Sequence, residues 1–200
     1  MSLPFSQACE NNKQYILDKL LPLFSAGSIV LEIGTLTAQH IRFFAEALPL
    51  VYWIPSDLDE NLPMVRAGLA ACTLRNISAP LSLDVAEEPW PLQQVDGIFT
   101  ANTLHIMRYD YVAGFFRNAG RVLKAGGVLC VYGPFKYGGE FTTQSNASFD
   151  VWLKQRDVLS GVRDFEQVQA WATAAGLELL ADHTMPANNQ LLVWRKLAAQ

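Results

Sequence analysis

Hydrophobic residues along this chain alternate between two spacings. Ile16, Leu20, Leu23 and Phe24 recur at the helical period, and "SIVLEIG" after them reads as a strand buried on both faces. Ile41, Phe44, Ala45 and Leu48 form a second helical stripe ahead of the strand-like "VYWIPSD". Two short apolar runs, "LSLDV" and "DGIFTAN", each meet polar residues at their C-terminal ends. Asp110 is placed to cap a helix carrying Val112, Phe115, Phe116, Ala119, Val122 and Leu123. Gly126-Gly127 should stop that helix ahead of the strand "VLCVYGPF". Asp164 with Gln167 resembles a capping box, and Val168, Trp171, Ala172 and Ala175 follow at helical spacing up to Gly176. "LELLADH" and "QLLVWRK" read as closing strands.

Strands alternating with helices predict a Rossmann-like α/β fold, a mainly parallel sheet covered on both faces and joined by right-handed crossovers. No repeat or linker divides the chain, so residues 1–200 read as one domain. In such sheets ligands sit beyond the C-terminal strand ends. That rule groups Gly34, Asp57, Asp84, Asn102 and Tyr132.

Composition narrows the partners. Half the residues are hydrophobic and 17% are charged, which suits a well-buried globule. The net charge of −4 argues against nucleic acid or an anionic membrane as the main partner. Cys9, Cys72 and Cys130 are scattered without metal-ligand spacing and read as free thiols, so no metal is expected. No apolar run approaches the ~20 residues of a membrane span. "MSLPFSQACENNK" lacks the basic and apolar regions of a signal peptide, so a cytoplasmic location is expected.

The candidate chemistry begins at Glu32-Ile33-Gly34-Thr35, where the first strand ends. The strand "YWIPSD" brings Asp57 roughly twenty residues later, where a carboxylate can accept both hydroxyls of a ribose. Loss of that side chain is expected to weaken a cofactor and barely disturb the fold. Asp84 can accept from an adenine amino group, and Asn102 ends the next strand. An acid two positions before the first Gly points to S-adenosylmethionine (SAM) rather than a dinucleotide. His105 is the candidate general base, with Tyr132 near the reacting atoms; the competing reading of His105 is a packed core histidine. Residues 134–163 are too many for an idle connection and predict a cap over an acceptor pocket. Asn146, Arg156, Asn188, Asn189 and Asn12 are its candidate polar contacts, each also readable as a turn, cap or surface residue.

The blocks "FSQACENNKQYIL", "LEIG", "QHIRFFAEALP", "PSDLD", "LDV", "GRVLKAGGVLCVYGPF", "SNASFD", "GVRD" and "PANN" resemble the methyltransferase-like protein 26 family. That family is catalogued as a domain of unknown function among the class I SAM-dependent methyltransferases. The resemblance runs nearly end to end. It implies a seven-stranded sheet with an antiparallel last strand, SAM as cofactor, and a methyl acceptor that is not established; our leading reading is transfer of the methyl group to a small molecule.

One stretch departs from the family. Its turn after the first strand carries three glycines; this chain keeps Gly34 but has Leu36 and Ala38 at the other two positions, then retains Gln39 and His40. A Leu forced to positive φ costs roughly 1–2 kcal/mol. The alternative is an ordinary φ with Leu36 packed into the core. Ala38, one methyl at a helix start, should be tolerated. The departure raises a second functional reading, a non-catalytic protein of this fold that binds a metabolite or protein partner. A nicotinamide-dependent reductase is disfavoured by the missing G-x-G-x-x-G.

Overall fold

The computed structural model describes residues 4–198. Helix α1 (Gln7–Leu20) starts at Ser6, whose hydroxyl accepts the Cys9 N–H, and leads to β1 (Ile29–Ile33), α2 (Gln39–Ala47) and β2 (Tyr52–Asp57). A short turn and α3 (Leu62–Leu69) lead to β3 (Leu81–Ser82), β4 (Val95–Ala101), α4 (Tyr109–Val122) and β5 (Leu123–Gly133). Then come β6 (Phe135–Tyr137), β7 (Glu140–Phe141), α5 (Gln144–Arg156), β8 (Arg163–Asp164), α6 (Phe165–Ala174), β9 (Leu177–Met185) and β10 (Asn189–Lys196).

The main sheet has seven strands in the order β3-β2-β1-β4-β5-β10-β9. Strands β1 to β5 run parallel, and β10 runs antiparallel to both β5 and β9. This is the sheet expected above. Its strands are apolar on both faces because helices cover both. Leu31, Ile98, Leu129 and Leu192 pack toward α4 and α6. Val30, Phe99, Cys130 and Leu191 pack toward α1 and α2. Trp53, Phe44 and Phe99 are fully buried, each such side chain contributing roughly 1.5–3 kcal/mol by leaving water.

Two local expectations are corrected and a third is met in part. Helix α4 hands over to β5 directly at Leu123, and Gly126-Gly127 lie inside that strand. Gly126, at φ 81°, takes up the register shift between β4 and β5, so the pair makes an irregularity in a strand rather than a helix stop. Asp110 lies in the first turn of α4 and not at its cap, which is Arg108. Asp164 stands at the N-cap of α6 as expected, and its carboxylate accepts the Gly139 N–H at 2.8 Å, tying β8 to the β6–β7 hairpin. That hairpin and β8 form a second, three-stranded sheet absent from the sequence reading. Its strands have two or three residues each, too short to show a period. Among the described residues no helix is long and apolar enough to cross a membrane, and no cluster of three or more metal-ligating side chains occurs.

Candidate cofactor cleft

Strands β1, β2 and β4 all end at one cleft of about 560 Å³. Gly34 closes β1 at φ 77°, and a Cβ there would lie 2.8 Å from Thr103 Oγ1, so the turn needs Gly for conformation and for space. The backbone N–H groups of Gly34 and Thr35 both donate to the Ser56 carbonyl at 3.0 Å. The Thr35 hydroxyl accepts the Ser56 N–H at 3.1 Å. These bonds fasten the β1 turn to β2 and set the cleft floor.

Leu36 follows at φ 45°, and Ala38 takes φ 58° as the residue entering α2. The backbone has thus kept the left-handed conformation that suits glycine, and the alternative of an ordinary φ with a packed Leu36 fails. Leu36 is 42% exposed and lines the cleft, whereas Ala38 is fully buried. Both carry strain, but only Ala38 gains from burying its methyl, worth about 0.8 kcal/mol. Leu36→Gly is therefore expected to stabilise the protein by about 1 kcal/mol, a rise of roughly 2–4 °C in Tm. Ala38→Gly should come out near zero because lost burial offsets the relieved strain. Thermal melts of the two variants check the difference, and equal shifts would refute it.

Asp57 is the hub of the cleft. Its Oδ2 accepts the Leu36 N–H at 2.9 Å; its Oδ1 accepts the Leu58 N–H at 2.9 Å and the Asn61 amide at 2.7 Å. Of roughly four acceptor positions on a carboxylate, about one is left for a ligand hydroxyl. The expectation that Asp57 serves a ligand without serving the fold is corrected by these three bonds. Asp84 is exposed on the cleft wall, its Oδ1 accepting the Ala86 N–H at 2.8 Å. Asn102 lines the cleft at φ 58°, a conformation Asn tolerates, and its N–H donates to the Tyr132 carbonyl at 2.8 Å.

Glu32 is only 2% exposed and lies on the α1 and α2 side of the sheet, behind Cys9 and Thr35 of the lining. Its Oε2 is buried with no hydrogen-bond partner among the described residues. Burial above all, with the Asp57 carboxylate adding to it, pushes its pKa up to about 8.

The other expected residues lie outside the lining. His105 is buried against the Phe149 ring, with centroids 5.1 Å apart, on the α4 face of the sheet. Burial, then the Arg163 cation, pull its pKa down to about 4, so the ring is neutral near pH 7. Tyr132 is buried on the opposite face with its hydroxyl against the side chains of Asn12 and Asn189. Asn12 Oδ1 lies 2.6 Å from Nε2 of His40, whose ring reaches the cleft. Asn146 donates to the Thr142 hydroxyl and the Asn188 carbonyl, both at 2.9 Å. Arg156 lies over the Trp152 ring on the surface. The structure thus gathers Asn12, Tyr132 and Asn189, pairs Asn146 with Asn188, and leaves Arg156 apart.

None of residues 134–163 lines the cleft. Instead this segment braces the loop after β4. The Arg163 guanidinium donates to the carbonyls of Leu104, Met107 and Leu159, the Ser160 hydroxyl to that of Ile106, and the Gly161 N–H to that of His105. The braced loop presents Ile106, Met107 and Arg108 to the cleft. Sequence reasoning missed these residues and Leu58, Tyr111, Ser6 and Cys9. The structure marks Ile106 as an apolar residue left 62% exposed between buried neighbours, which no pattern along the chain signals.

A larger depression of about 660 Å³ lies between α5, β8 and α6. Its three cations, Lys136, Lys154 and Arg163, are equalled in number by Asp150, Asp164 and Glu166, and no strand of the seven-stranded sheet ends there. The strand-end cleft is the better candidate site.

Solved structures share this fold. An O-methyltransferase family protein from Burkholderia thailandensis superposes with TM-score 0.81 at 14% identity, over 94% of this chain and 57% of that one. An O-methyltransferase family 2 protein from Planctomyces limnophilus, solved with apigenin, gives 0.74 at 16% identity, over 92% of this chain and 62% of that one. Human N-acetylserotonin methyltransferase, solved with SAM, gives 0.71 at 14% identity, over 93% of this chain and 55% of that one. At such identities the likeness is one of fold, the class I methyltransferase fold, and the chain spans little more than half the length of these proteins. A family model described as "Protein of unknown function (DUF938)" matches residues 3–196, and the chain belongs to that family.

Proposed function

We propose that this protein is a SAM-dependent methyltransferase acting on a small-molecule acceptor, with residues 1–200 forming one domain akin to the methyltransferase-like protein 26 family. One observation carries the reading. Gly34, Thr35, Asp57, Asp84 and Asn102 line a single cleft at the strand ends, with the Glu32 carboxyl, one oxygen of it without a partner among the described residues, buried behind it.

The residues present fit such a cofactor. Asp57 retains acceptor capacity for a ribose hydroxyl, and the second oxygen of Asp84 is free to accept from an amino group. Leu58 and Ile106, both partly exposed in the cleft, offer apolar surface to a flat base. When bound, SAM supplies a methyl group activated by its sulfonium. The chain's part is to hold acceptor and donor in line, which matters more for this transfer than proton removal. We therefore assign no general base in the cleft; His105, neutral and outside the lining, packs the loop that carries Ile106. Asn12, His40, Tyr132 and Asn189 form the polar group we assign to the acceptor side, with His40 as the member at the cleft. The apigenin held by the Planctomyces limnophilus protein supports a small acceptor on this fold.

Calorimetry tests the reading. SAM and S-adenosylhomocysteine are expected to bind saturably, and NADH and NADPH not to bind. No heat of binding at millimolar SAM would overturn the reading. The strained Leu36 at the cleft would then favour the non-catalytic alternative.

A further inference from the structure

Glu32 lies next to the last residue of β1, on the face that α1 and α2 cover, and its carboxyl has an unusual set of neighbours. One oxygen meets the Thr35 hydroxyl, whose proton is free because its oxygen already accepts the Ser56 N–H. The other, Oε2, is buried without a partner among the described residues. From α1 the Cys9 thiol faces it, and from β2 the Asp57 carboxylate; among the described residues no cation does. On α2 the nearest titratable side chain toward the cleft is His40, held neutral by burial, with a pKa near 4. From β4, Phe99 and Thr100 beside it bring nothing titratable. A carboxylate in this place lacks a counter-charge, and the cleft beyond Cys9 and Thr35 is where one can enter.

We propose that Glu32 is a proton-coupled receptor for positive charge, keeping its proton while no cation occupies the cleft and releasing it to solvent when an ammonium- or sulfonium-bearing ligand binds. The identity of the ligand as SAM, which carries both charges, rests on the methyltransferase reading; the protonation of Glu32 does not. The step balances simply. The neutral acid and a cationic ligand give a carboxylate–cation complex and one proton taken by buffer, and no other bond changes. An opposite charge within about 4–6 Å suffices to ionise such a group, so direct contact is not needed. Because binding expels a proton, affinity rises with pH while Glu32 is still protonated in the free protein, that is, below about 8. The ligand's own α-amino group loses its charge near pH 7.7–8.0, so the usable window ends at about pH 7.5.

The test is calorimetry at pH 6.5 in buffers of different ionisation enthalpy. About one proton should be released per SAM bound, and almost none per 5′-methylthioadenosine, which has neither charge. Between pH 6 and pH 7 the Kd for SAM should fall about tenfold. Glu32→Gln, which imitates the protonated side chain, should abolish both the proton release and the pH dependence. In the ligand-free protein, the 13C resonance of the Glu32 carboxyl, assigned by its loss in Glu32→Gln, should titrate near pH 8. SAM binding without proton release overturns the proposal, as does a Glu32 resonance already ionised at pH 6. Absence of any SAM binding defeats the methyltransferase reading and the linkage together. The NMR titration then decides the protonation of Glu32 independently.

Discussion

Arg163→Met is expected to destabilise the protein by about 3 kcal/mol or more, a fall of roughly 6–12 °C in Tm. The guanidinium is 6% exposed and serves three backbone carbonyls, those of Leu104, Met107 and Leu159, in place of a carboxylate partner. Methionine fills similar volume, so the loss reads the hydrogen bonds rather than a cavity. It leaves the buried carbonyls of Leu104 and Met107 unsatisfied, where each costs about 1–3 kcal/mol, whereas that of Leu159 borders the depression between α5, β8 and α6 and can turn to water. Arg163→Lys should recover only part, because an ammonium on a flexible stem does not reproduce the fork that reaches carbonyls on both segments. The consequence reaches the cleft, since the loop held by Arg163 presents Ile106, Met107 and Arg108. Urea unfolding, with hydrogen exchange at Met107, Tyr109 and Gly161, is the measurement. Unchanged stability and exchange in Arg163→Met would refute the bracing role.

Asp57→Ala should cost about 2–3 kcal/mol of stability and weaken SAM by a further 1–3 kcal/mol, roughly 5- to 150-fold in Kd. Three donors lose a charged acceptor, but Leu36 and Leu58 are each about 40% exposed, so water replaces part of what is lost. The two effects separate by method. Urea unfolding of the free protein reads the first, and calorimetry at a temperature where the variant is fully folded reads the second. A variant that is less stable yet binds SAM like the wild type would leave Asp57 as a structural residue only.

The candidate site divides along the same line. Glu32, Gly34, Thr35, Asp57, Asp84 and Asn102 were legible because a strand of known direction ends where its ligand sits, and a short polar residue after an apolar run marks that end. Leu58, Ile106 and Tyr111 were not legible. An apolar residue counts toward the core until its exposure is known, and these three are exposed. His105 and Tyr132 both sit at strand-end positions, yet they pack on opposite faces of the sheet. Sequence placed them at the right height but gave no means of telling which face each would take.

By itself, the sequence determined the alternation of helix and strand, the buried parallel sheet and the end of that sheet where the candidate cleft lies. Those follow from periods and chain direction, which are local properties. Only the tertiary structure decided that Leu36 and Ala38 keep a glycine's backbone, with φ 45° and 58°, because neighbouring bonds to Ser56 and Asp57 outweigh the strain of two residues. It also decided that none of residues 134–163 lines the cofactor cleft and that Ser160, Gly161 and Arg163 hold the loop after β4. That arrangement depends on carbonyls 56 and 59 positions away from Arg163, and no window along the chain contains both partners.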